Sequence, residues 1–80
     1  MRQNLAHRAD LPNEPDPVPG TRLYYYIRAC FVAKGDSLTA YCRRNGIFRE
    51  NARDALVGIW NGPAAVELRR KLLQAAESDA

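Results

Sequence analysis

Eighty residues, 46% of them apolar and 26% charged, allow one small domain with a single core and exclude an enclosed active site joined to a separate regulatory module. The formal charge of +3 is unevenly spread: residues 1–20 hold two arginines against three acids, whereas residues 21–73 hold ten Lys and Arg against four acids, a balance of +6. The part expected to fold is basic, which favours a polyanionic partner.

Residues 1–20 contain four of the five prolines, at 12, 15, 17 and 19, interleaved with Asp10, Asn13, Glu14 and Asp16. Proline removes backbone donors and keeps the chain extended or turned, so this stretch is expected to be a flexible leader. Its acidic centre argues against an arm that enters the DNA minor groove. The N-terminus lacks the apolar centre of a secretory signal, and no apolar run is long enough to span a bilayer. A cytoplasmic, nucleoid-associated protein with no membrane partner is expected.

A first helix is expected from an N-cap at Thr21 to Ala33 or Lys34, where Gly35 stops it. Leu23, Tyr26, Ile27, Cys30 and Phe31 form its apolar stripe. Successive helix positions turn by about 100°, so Tyr25 should face solvent or a partner and Tyr24 should flank the core. Lys34-Gly35-Asp36 makes a short connection, with Asp36 or Ser37 able to accept from the free amides of the next helix.

Ser37–Leu56, SLTAYCRRNGIFRENARDAL, reads as helix, tight turn and helix. Ser37 is a good N-cap, and Leu38, Tyr41, Cys42 and Asn45 follow at i, i+3, i+4 and i+7. Gly46 closes the first helix, and Ile47 packs back on its last turn. A second helical period begins at Phe48 and continues through Ala52, Ala55, Leu56 and Ile59, while Arg49, Glu50, Arg53, Asp54 and Val57 point away from it. Beyond Gly58, Asn61-Gly62-Pro63 signals a turn with Pro63 at the first position of a last helix. That helix runs through Ala65, Val66, Leu68, Arg69, Leu72, Leu73 and Ala76. Arg69, Arg70 and Lys71 would complement its dipole and could flank a bound backbone. Trp60 is expected to pack the last helix onto the others, and residues 77–80 are expected to fray. The fold class is all-α, with four or five helices spread over residues 21–76 and no strand.

The chemistry of the central motif is that of DNA recognition. A reading helix offers one face to base edges while its other face is fixed by a core. Arg49 and Arg53, one turn apart, can each bond guanine O6 and N7. Glu50 can accept from cytosine N4, Asn51 can bond adenine, and an exposed Val57 could contact a thymine methyl if the helix lies that deep. Lys34, Ser37, Thr39, Arg43 and Arg44 suit phosphates. The competing reading is a solvated amphipathic face on which Arg53 neutralises Glu50 or Asp54. Cys30 and Cys42 lie on apolar faces and read as buried small hydrophobes. His7, the one histidine, lies in the leader, so no metal site, cofactor or catalytic constellation is visible and no enzyme is expected.

Residues 22–76 resemble the Ner-like regulators of transposable phages, within the lambda repressor-like helix-turn-helix fold. The resemblance rests on Ser37-Leu38-Thr39-Ala40-Tyr41-Cys42-Arg43-Arg44-Asn45-Gly46-Ile47, then Ala52 and Ala55-Leu56, with Trp60 and the Gly-Pro turn following. It implies a DNA-binding transcriptional regulator of phage or prophage type, often a repressor, that binds double-stranded DNA as a homodimer. By position it places Arg49, Glu50, Asn51 and Arg53 on the front of the recognition helix, with Ser37 and Thr39 at the backbone-contacting end of the helix before. The family usually caps the recognition helix with Ser or Thr where this chain has Phe48. Either that helix begins a residue or two away, or Phe48 is buried and its amides meet a phosphate on binding. A protein-binding module, such as an antitoxin, inhibitor or host-factor binder, is the alternative use of the same fold.

Overall fold

The computed structural model describes residues 17–78, and among them four helices carry all the regular structure: α1 (Thr21–Ala33), α2 (Leu38–Arg44), α3 (Arg49–Val57) and α4 (Pro63–Glu77). The fold is all-α. The first sixteen residues of the expected leader, and Asp79 and Ala80 of the expected frayed end, lie outside the described residues.

α1 and α3 each pack against all three other helices, and α2 and α4 rest on that pair. Ile27 and Phe31 of α1 are buried with Leu38 and Cys42 of α2, Ala52 and Leu56 of α3, and Leu72 and Ala76 of α4. Leu23, Tyr24, Cys30, Tyr41, Ile47, Leu68 and Leu73 close over that cluster. Ala52, Ala55 and Ala65 are fully buried, and such small side chains let the backbones of α3 and α4 approach closely. Both cysteines are free thiols. Cys42 is buried, which pushes its thiol pKa up, whereas Cys30 is half-buried.

The turns follow local chemistry. Ser37 caps α2, its Oγ accepting from the Ala40 N–H at 3.0 Å. Gly46, at φ 68, takes the left-handed conformation that returns the chain. Ile47 N–H then reaches Cys42 O at 2.9 Å while Gly46 N–H reaches Arg43 O at 3.4 Å, the paired bonds of a Schellman end. The same pairing closes α1, through Asp36 to Phe31 and Gly35 to Val32, each at 2.9 Å.

Several expectations are corrected. Gly20, not Thr21, caps α1, and its N–H donates to Leu56 O at 2.9 Å, so the end of the leader is tied to α3. Tyr26, assigned to the apolar stripe, lies exposed and donates its hydroxyl to Glu77 Oε2 at 2.7 Å, which raises its phenol pKa. Cys30 and Phe31 already fill the inner face of that turn. Asn45 is exposed and bonds the Tyr41 carbonyl. Ile59 is 71% exposed, because α3 ends at Val57 and Gly58 redirects the chain before the helical period can bring Ile59 inward. Trp60 is likewise exposed, outside the core, while its N–H bonds Asp54 O at 3.1 Å. Val57 is half-buried, and α4 extends to Glu77.

Candidate nucleic-acid interface

α3 begins at Arg49, directly after the tight turn. Its cap position is Phe48, which makes no side-chain cap hydrogen bond and is 75% exposed. Neither sequence alternative holds in full: the helix starts where its period predicts, yet Phe48 is not buried. Phe48 O accepts the first helical bond, from Ala52 N–H at 3.1 Å. With no side-chain cap, the first-turn amides of α3 remain available to an anion. Glu50 in that turn complements the helix dipole but competes with a phosphate for the same positive end.

The starts of α2 and α3 are joined. Arg49 Nε donates to Thr39 Oγ1 at 3.0 Å, so an expected base-contacting side chain and an expected phosphate-contacting one share an exposed surface. Arg43, Glu50 and Asn51 are also exposed and, among the described residues, make no side-chain hydrogen bond or ion pair. Arg53 is exposed and forms a 3.4 Å contact with Asp54 Oδ1. A pair that long and that open to water contributes little, so Arg53 can exchange it for a stronger acceptor. Ser37 spends its oxygen on the α2 cap but keeps its hydroxyl hydrogen to donate.

Two of the expected phosphate ligands have other work. Lys34 Nζ donates to Ala75 O at 2.6 Å and Ser78 O at 3.1 Å, closing the C-terminal end of α4 over the end of α1. That contact supplies a cation where the α4 dipole is negative. Arg44 forms a fork on Asp36, at 2.7 and 3.2 Å. The Arg44 guanidinium beside Asp36, helped by the Ser37 N–H, holds that carboxyl down at about 2 against an ordinary 3.8. The folded state therefore gives up this proton more readily than the unfolded chain. The pair's stabilisation is full above about pH 4 and is lost as the pH falls towards 2. Urea midpoints followed through that range should decline less steeply for Asp36→Asn than for the parent chain. Equal acid limbs would detach the pair from stability.

Arg69 is the residue that sequence reasoning misplaced. Expected on the surface of the last helix, it is 2% exposed, with Nε donating to Ala55 O at 2.7 Å and Nη2 donating to Asn61 Oδ1 at 2.6 Å. It thus joins α4 to the last turn of α3 and to the turn between them. With no carboxylate partner among the described residues, this guanidinium can be buried because it bonds the Ala55 carbonyl at the negative dipole end of α3 and the Asn61 side-chain oxygen. The signal was present: Ala65, Arg69, Leu72 and Ala76 share one helical face, and an arginine inside an apolar stripe is a buried donor set rather than a solvated charge.

Comparison of the chain with known protein families, with curated proteins and with solved structures finds no match.

Proposed function

We propose that the protein is a sequence-specific, double-stranded DNA-binding transcriptional regulator of the phage or prophage type, built as a lambda repressor-like helix-turn-helix and reading the major groove with α3. One observation carries the reading: the Arg49–Thr39 bond sets the starts of α2 and α3 side by side on an exposed, basic surface. Helix-turn-helix proteins place base-reading and backbone-holding ends in that arrangement. Arg49, Asn51 and Arg53 supply base-edge donors, with Glu50 as an acceptor. Arg43, Thr39 and Ser37 hold phosphates, and Arg44 joins them by releasing Asp36. The protein acts as a homodimer, at least on DNA, on a palindrome whose half-sites lie about one helical turn apart.

The test is binding to duplex DNA from beside the protein's own coding region, followed through a salt series against random duplex. Affinity that survives the competitor and falls steeply with salt supports the reading. Binding no tighter than to random duplex ends it. Exposed Ile59 and Trp60 would then favour the second reading, a protein-binding module, recognised by a salt-insensitive complex with a protein.

A further inference from the structure

Phe48 has no structural reason to be aromatic. Its side chain is 75% exposed, makes no cap hydrogen bond and is no part of the core cluster, to which its sequence neighbour Ile47 contributes instead. Its backbone, by contrast, is fixed from both sides. Ile47 N–H is bonded to Cys42 O at 2.9 Å, and Phe48 O accepts from Ala52 N–H at 3.1 Å. A large apolar group is therefore held out into water at the start of α3, next in sequence to the exposed Arg49 and ahead of Glu50 in the first turn. The exposed Arg49 next to it and the uncapped amides of the first turn of α3 favour a polyanion over an apolar protein surface as the occupant.

We propose that Phe48 is a specificity residue that packs on the C5-methyl group of thymine. The inference rests on the DNA-binding reading and names what that site selects. The first residues of a recognition helix meet base edges, and a phenyl ring can neither donate nor accept there. Among the four bases, only thymine presents an apolar group in the major groove. A ring at the cap position selects thymine near the point where α3 enters the groove, and Arg49 reads the adjoining base. Taking ring and methyl out of water together makes the contact favourable without any hydrogen bond.

The experiment selects duplexes from a random pool with the full chain, then replaces each thymine of a selected duplex, one at a time, by deoxyuridine, which lacks only the methyl. For the parent protein, one thymine per half-site should stand out, its replacement weakening binding by about three- to fivefold, the size expected for one methyl taken from water. Phe48→Ala should bind the thymine and deoxyuridine duplexes equally, while Phe48→Leu retains part of the discrimination. An unchanged far-ultraviolet circular dichroism spectrum confirms that each variant is folded. If no thymine stands out, or if Phe48→Ala still discriminates at the same position, the Phe48 assignment is overturned while DNA binding stands. If no duplex is enriched from the pool, the DNA reading fails and this inference fails with it.

Discussion

Arg69→Ala is expected to be the most damaging single change in the chain, costing about 3–5 kcal/mol. The substitution leaves the volume of a long buried side chain empty and strips the Ala55 carbonyl of its donor. It also frees Asn61, and with it the turn between α3 and α4. A domain of this size has a total stability of roughly the same magnitude, so the variant should be largely unfolded at room temperature. Urea denaturation followed by circular dichroism measures the effect. Arg69→Met separates its parts by restoring most of the volume without the hydrogen bonds, and should fall between Arg69→Ala and the parent. A midpoint unchanged in Arg69→Ala would mean that the guanidinium does not join these helices.

The second large effect is on binding rather than folding. Arg49→Ala and Arg53→Ala should each lose about ten- to a hundredfold in affinity for the selected duplex, the range of one bidentate base contact. Both side chains are exposed, so the urea midpoint should hardly move. Arg49→Lys keeps a charge but cannot present two parallel N–H donors. Discrimination between bases should collapse with little change in the salt slope, which separates base reading from phosphate attraction. Operator affinity unchanged in both alanine variants would remove α3 from the role of reading helix.

What could be read from the chain was local. The Ser37 cap and the Gly46 return are each decided by residues within a turn of one another, and periodicity found the buried centres of α1, α2 and α3 but overran them at Tyr26, Asn45, Phe48 and Ile59. What escaped depends on partners distant in sequence. Lys34 looked like a free surface cation until the end of α4 arrived beside it, 41 residues on. Ile59 followed the α3 period on paper, but the helix stops at Val57. Arg69 was read by its charge, although its place in the apolar stripe of α4 was the better guide. Phe48 counted as the first apolar position of the α3 period, yet it stands before the helix at the cap position and is exposed.

The Gly20–Leu56 bond and the Lys34–Ser78 bond also fix where the two ends of the described residues lie. Pro19 lies against Gly58, 3.2 Å from where a Cβ would stand, so the chain enters the folded part beside the finishing end of α3. That is the far end of a nine-residue helix from Phe48, about 13 Å along its axis. Ser78, held by Lys34, instead lines a cleft with Asp36 and Arg44, next to the beginning of α2. The two ends of the described residues therefore differ in their surroundings. The chain at Pro19 thus lies on the side remote from the start of α3, whereas at Ser78 it lies beside the start of α2.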